Sequence, residues 1–190
     1  ILDVAKSISE GLARNAQCGK VNGEVKDLRT ILNEDCTLEI CTFDSKEGKD
    51  AVRHSVSHVL AAAVKRLFPE AKIAIGPSIE NGFYYDFDTE MRKIIKENPA
   101  IERFELPRNE ALELMKDEPY KVELINDLAE DEIISFYKIG DFTDLCAGPH
   151  VMSLKNIKAI KLLRSAGAYW KGDEKNKMLS RIYGTAFLKK

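Results

Sequence analysis

Apolar residues at positions 2, 4, 5, 8 and 12 recur close to the helical repeat, and Gly11 and Asn15 stand where such a helix would end. A short opening helix is expected. Gly19 to Val25 (GKVNGEV) then reads as a strand entering an Asn-Gly turn, and Cys36 to Phe43 (CTLEICTF) alternates as a strand. The polar, glycine-containing stretch Ser45 to Asp50 (SKEGKD) separates this unit, residues 1–45, from a second one, residues 46–190. Asp50 to Leu67 predicts a helix ended by Pro69, with Val52, Val56, Val59, Leu60, Ala63, Val64 and Leu67 on one core-facing stripe. Ile73 to Phe87 reads as a β-hairpin against that helix, from a Gly-Pro at 76–77, an Asn-Gly at 81–82 and the strand-like FYYDF. Helices are expected at Glu90 to Glu97 and Asn109 to Met115. Short strands are expected at Tyr120 to Ile125, Ile133 to Tyr137, Phe142 to Leu145, Ile160 to Ser165 and Ser180 to Phe187.

A length of 190 residues with 44% hydrophobic content suits one or two domains with an ordinary core. No run reaches the roughly 18 apolar residues of a membrane span, and no basic segment followed by an apolar run opens the chain. A cytoplasmic protein without membrane contact is expected. Four cysteines, Cys18, Cys36, Cys41 and Cys146, are then read as reduced thiols rather than a disulfide framework. The net charge of -2 hides an asymmetry, because Val151 to Lys190 holds ten Lys/Arg against two Asp/Glu. That tail is either a solvated basic face or an anion-binding surface.

All three histidines occur in two similar patterns, His54-Ser55-Val56-Ser57-His58 and Cys146-Ala147-Gly148-Pro149-His150. On a helix, His54 and His58 share one face, opposite the centre of the apolar stripe. Such a pair is a structural feature or a site. Gly148-Pro149 disfavours a helix before His150 and implies a rigid turn that could hold Cys146 and His150 across a cleft from the histidine helix. Two imidazoles, a thiol and a third imidazole from distant segments form a set used by zinc sites and hydrolytic centres. For Cys146 the other reading is a small buried hydrophobe.

These residues lie in segments that resemble a known family. HSVSHVLAAAVKRLFPEAKIAIGPSIENGFYYDFD, GDFTDLCAGPHV and SAGAYWKGDEKNKMLSRIYGTAF look like the editing domain of bacterial-type threonyl-tRNA synthetases. The HxxxH and CxxxH patterns are shared with alanyl-type editing domains, whereas GFYYDFD and GAYWKGDEKNKMLSRIYGT are of the threonyl kind. The first 45 residues resemble the small TGS module that precedes that domain. The resemblance implies an α+β fold: a partial β-grasp (TGS) module whose opening hairpin is missing, followed by an editing domain with a mainly antiparallel sheet packed against helices. It also implies a longer acidic connection near Asp88-Thr89, and a similar shortening near Asp117-Glu118.

The same resemblance implies hydrolysis of the ester in Ser-tRNA(Thr), with the tRNA(Thr) acceptor end carrying serine as partner. It assigns His54, His58, Cys146, His150, Lys121 and Asp144 to the catalytic cluster, with Tyr85, Asp86 and Lys121 as substrate-binding neighbours. His54 is the candidate water-orienting base. Cys146 would narrow the pocket, bind metal or attack as a thiolate, in falling order of fit to a water-based route. Editing is expected to need no cofactor, although His54, His58, Cys146 and His150 match a Zn2+ ligand inventory. ATP, another Zn2+ and a homodimer contact would belong to a synthetic core absent from the chain. Lys155, Lys158, Lys161, Arg164, Lys171, Lys175, Lys177 and Arg181 would track acceptor-stem phosphates, and Trp170 is expected to pack. The alternatives are a free-standing trans-editing deacylase and a non-catalytic tRNA-binding module.

Overall fold

The computed structural model describes residues 1–74 and 86–188, with residues 86–89 described by backbone alone. The opening helix is two: α1 (Leu2–Ile8) and α2 (Glu10–Asn15). Ser9 breaks them because its extended backbone ends α1 while its hydroxyl accepts from Leu12 N–H and caps α2. β1 (Ala16–Val21) and β2 (Glu24–Lys26) form the expected hairpin, with Asn22 and Gly23 both at positive φ as a tight two-residue turn requires. β3 (Leu38–Thr42) pairs on the other side of β1, giving an antiparallel sheet in the order β2-β1-β3.

Ser45 belongs to the next element rather than to a linker: its hydroxyl accepts from Gly48 N–H and caps α3 (Lys46–Leu67). Gly48 is the only residue type that fits there, since a Cβ would collide with the Thr42 carbonyl oxygen. The start of α3 is thereby pressed onto the end of β3, and Ala51 packs with Cys18 and Cys41 in a small core common to both units.

α3 is also the spine of the second unit. Its buried face is Ala51, Val52, Ser55, Val56, His58, Val59, Ala62 and Ala63, so it is turned toward His58 relative to the expected stripe. The small residues Ala51, Ser55 and Ala62 allow this close approach, while Leu60 and Val64 are only half-buried and Leu67 is exposed. α4 (Asp86–Glu97) lies against α3 through Met91 and Ile94. Asp86 and Phe87 are thus helical rather than strand residues; the rest of the expected hairpin from residue 75, including Tyr85, lies outside the described residues.

β4 (Ile101–Glu105), β5 (Ser135–Ile139) and β6 (Phe142–Leu145) make a second antiparallel sheet in that order, joined across α5 (Arg108–Leu114) and α6 (Pro119–Asp127). The strand expected at Tyr120 to Ile125 is corrected to α6. Pro119 sits at its first turn, where a missing N–H costs nothing, and Lys121 and Ile125 share the buried face at helical spacing. β7 (Ala159–Tyr169) and β8 (Met178–Phe187) form a long hairpin with a register shift between Leu162 and Arg164. Its base, through Ile160, Leu162 and Ala186, completes the core around α3.

Candidate functional site

The site is built where β6 runs out beside the middle of α3. Past Leu145 the chain is held by two bonds to β5: Cys146 N–H donates to the Ser135 carbonyl at 3.0 Å, and the Ser135 hydroxyl donates to the Cys146 carbonyl at 2.7 Å. Gly148 follows at φ 81°, with the Tyr137 hydroxyl standing where a Cβ would have to be, so only glycine lets this turn close over the tyrosine ring. The turn, which includes a cis Gly148-Pro149 peptide, delivers His150 back toward Cys146.

The ligand atoms of His54, His58, Cys146 and His150 all lie within 4.8 Å of one another. Cys146 Sγ is 3.4 Å from His54 Nε2 and 3.2 Å from His150 Nε2, and it accepts from Gly148 N–H at 3.2 Å. His58 stands edge-on to both other imidazoles, with ring centres 5.2 Å from His54 and 4.4 Å from His150. The four residues expected from two sequence patterns therefore meet in one place.

The hydrogen-bond pattern assigns the tautomer of His150. The Ser55 hydroxyl donates to the Ala51 carbonyl at 2.8 Å, which leaves it only acceptor capacity for Val151 N–H at 2.9 Å and His150 Nδ1 at 3.1 Å. Nδ1 must carry the proton, and Nε2 presents a bare lone pair to the Cys146 sulfur. Burial holds His150 and His58 well below the ordinary value of 6.5, with the neighbouring imidazoles adding to the effect, and burial also lowers His54. At neutral pH the cluster is three uncharged imidazoles. Burial pushes the Cys146 thiol up to about 11, although the Gly148 N–H pulls against it, so sulfur is present as S–H.

Asp144 and Lys121, expected in the same neighbourhood, form a buried pair at 2.6 Å, at 7% and 3% exposure. The other carboxylate oxygen of Asp144 faces His58 Nδ1 at 3.6 Å, beyond a direct hydrogen bond, and that nitrogen has no partner among the described residues. Burial pushes the Asp144 carboxyl up, with Lys121 opposing. A cleft of about 510 Å³ opens on this side, lined by His58, Asp144, Arg53, Val56, Met91 and Trp170 among others. Tyr85 lies outside the described residues, as does the side chain of Asp86. Trp170 is buried against Tyr120 and donates to Glu123, which is a packing role.

Zinc fits the donor set. Three neutral imidazoles and a cysteine thiolate are its usual ligands, so a bound zinc would displace the Cys146 proton, and the two sulfur-nitrogen separations of 3.2 and 3.4 Å already approach the edges of a small tetrahedron. Ser55 behind His150 and Asp144 behind His58 are the kind of groups that orient metal-bound imidazoles.

Sequence reasoning missed Ser55, Asp27, Arg29 and Tyr137. The Asp27 carboxylate accepts from the Tyr137 hydroxyl at 2.7 Å and from His150 N–H at 3.2 Å. Arg29 donates to the carbonyls of Ile101, at 2.7 Å, and His150, at 3.4 Å. Ser55 is one of two serines inside HSVSH and nothing local separates it from Ser57; the other three had no local signal either.

Comparison with known proteins finds two matching domains and a group of similar chains. Residues 1–42 match the TGS domain, and residues 134–183 match the threonyl and alanyl tRNA synthetase second additional domain. Across its whole length the chain is 78% identical to a threonine-tRNA ligase of Clostridium botulinum, 74% to one of Clostridium perfringens and 63% to one of Clostridioides difficile. In each case it spans 32% of the relative's length. The first of these alignments runs over 204 positions for the chain's 190 residues, so that relative holds segments with no counterpart here. The chain therefore carries a TGS domain and a threonyl and alanyl tRNA synthetase second additional domain, and over its whole length it is similar to part of the threonine-tRNA ligases.

Proposed function

We propose that the chain hydrolyses the ester of tRNA(Thr) mischarged with serine, with residues 1–45 as the TGS module and 46–190 as the hydrolytic unit. The observation that carries this is the convergence of His54, His58, Cys146 and His150, uncharged and largely buried, with His58 on the wall of a cleft large enough for an aminoacyl group. Threonine and serine differ by one methyl, worth about 1–3 kcal/mol in a binding pocket, so a ligase that relies on binding alone makes seryl errors and needs a second, hydrolytic site.

In this reading a water attacks the ester carbonyl. His54, uncharged and with its Nε2 3.4 Å from Cys146 Sγ, takes the water's proton and returns it to the departing ribose oxygen. Lys121, held by Asp144, stabilises negative charge on the tetrahedral intermediate or contacts the terminal nucleotide. Cys146 stays protonated and shapes the pocket rather than attacking. Tyr85 and Asp86 contribute to the substrate pocket. The exposed basic residues of the β7–β8 segment, Lys161, Arg164 and Arg181 among them, follow the acceptor-stem phosphates. Zn2+ would be held by His54, His58, His150 and the thiolate of Cys146, a four-ligand set that leaves no open position for a water, and the water route described here proceeds through the protein's own groups. Aminoacylation with ATP, a second Zn2+ and homodimerisation are assigned to parts of the relatives that this chain does not match, and the compartment is the cytoplasm. Among the described residues no helix is long and apolar enough to cross a membrane.

The test is deacylation of Ser-tRNA(Thr) and Thr-tRNA(Thr), with His54→Ala and Cys146→Ala and a chelator-treated sample alongside. Selective loss of the seryl ester, reduced about 100-fold or more by His54→Ala, is expected from removal of a general base. Equal, slow loss of both esters in wild type and variants would refute the reading.

A further inference from the structure

The residues that fix the backbone of His150 come from the other unit. His150 N–H donates to Asp27 Oδ2, and the His150 carbonyl accepts from Arg29 Nη1, so both polar groups of one site residue are bound by the segment between β2 and β3. The same Asp27 oxygen accepts from the Tyr137 hydroxyl at 2.7 Å, and the Tyr137 ring lies 4.2 Å from the His150 ring centre to centre. The second carboxylate oxygen is occupied by Arg29, through its backbone N–H at 2.8 Å and its guanidinium at 3.0 Å. Arg29 in turn reaches the Ile101 carbonyl at the start of β4. Asp27 is 7% exposed and sits within residues 1–42, the part that matches the TGS domain.

We propose that Asp27, steadied by Arg29, is a positioning residue for the hydrolytic cluster, so that the small module completes the site rather than serving only as a separate binding unit. This rests on the hydrolytic reading of the cluster given above. The carboxylate is well suited to the task because all five of its hydrogen bonds, including a second one from Arg29 Nη1 to Oδ2 at 3.1 Å, come from donors. An isosteric amide must turn its NH2 toward either Arg29 or the Tyr137–His150 pair, setting donor against donor on one side. The turn from Cys146 to His150 then shifts relative to Ser55 and His54, which α3 holds independently.

The experiment is done on the full-length protein that carries this chain, with Asp27→Asn, Arg29→Lys as the milder second variant, and Thr-tRNA(Thr) and thermal unfolding as controls. Asp27→Asn is expected to lower kcat for Ser-tRNA(Thr) hydrolysis by about 10- to 100-fold, the usual effect of removing a group that orients a site ligand, with KM within about two-fold. At a fixed pH the alkylation rate of Cys146, read on its own peptide by mass spectrometry, is expected to change several-fold with the unfolding temperature little altered. Wild-type kcat and wild-type Cys146 alkylation in both variants would overturn the proposal. So would a loss of apparent kcat no greater than the unfolded fraction of each variant, which lowers the active enzyme and leaves KM unchanged. Should Asp27→Asn fail to fold, Arg29→Lys carries the same two readouts. If the wild-type protein hydrolyses neither ester, the functional reading has failed on its own, and the Cys146 alkylation rate still decides whether Asp27 positions the turn.

Discussion

Three imidazoles packed within a few ångströms of one another make the site acid-sensitive. His58 and His150 are held well below 6.5 by burial, His58 further by His54 and Lys121 and His150 further by His58, His54 and Arg29, so below that pH the unfolded chain binds protons that the folded one refuses. Stability therefore rises with pH in this window and falls on acidification. Asp144, whose carboxyl is pushed up by burial, acts in the opposite sense and only as pH falls through its own folded value. In chelator, the unfolding midpoint in urea is expected to drop between pH 7 and 5.5, and His58→Gln is expected to flatten that slope; a level wild-type midpoint would contradict the assigned tautomer and burial. The identities of these residues were legible in the sequence because histidine is rare here and its spacing unusual. What the sequence hid was how they are held. Ser55 fixes a tautomer through three hydrogen bonds, and nothing in the sequence between the two histidines tells Ser55 from Ser57 or from a solvent-facing hydroxyl.

At the scale of elements, sequence and structure agree where period and punctuation coincide and diverge where charge obscures the pattern. β6 has its expected bounds, and the Asn22-Gly23 turn fixes the β1–β2 hairpin. β4 escapes the sequence pattern because Glu102, Arg103 and Glu105 interrupt its alternation, as edge strands permit when only one side is paired. α6 reads as a strand because Tyr120, Val122 and Leu124 alternate with polar neighbours, whereas the buried positions are Lys121 and Ile125. A lysine inward on a helix looks like an error until its partner is known. Lys121 and Asp144 bind α6 to β6 inside the protein, and breaking such a buried pair from one side strands a charge. Lys121→Met is expected to destabilise the fold by about 3 kcal/mol in denaturant unfolding. Adding Asp144→Asn is expected to recover part of that loss, since the stranded carboxylate is removed. A double variant no better than the single one would mean that Lys121 contributes by packing its methylenes, not by its charge.

Over the whole molecule, charge and connectivity were legible to different degrees. The acidic first 150 residues and the basic remainder are plain in the sequence, but whether the basic residues are available depends on what stands beside them. Lys171 is exposed yet sits at 2.5 Å from both Glu123 and Asp127 on α6, so much of its charge is already neutralised. Lys161 lies exposed on β7, and Arg164 lies over the Tyr183 ring at 4.6 Å with its charge intact. If this hairpin follows RNA phosphates, binding must release counterions, and the affinity for tRNA must fall linearly on a plot of log affinity against log salt. Removing one phosphate-binding cation should reduce the magnitude of that slope by about 0.9 on a duplex. Lys161→Ala is therefore expected to lower it by close to one, and Lys171→Ala by clearly less, because removing Lys171 also frees two carboxylates that repel the backbone without having contributed a released ion. Both losses are electrostatic and therefore largest at low salt, and the two variants differ in the size of the change in slope. Filter binding of tRNA(Thr) between about 50 and 200 mM salt separates these outcomes. Equal slopes for wild type and Lys161→Ala would move the phosphate track off β7 and onto another face of the protein.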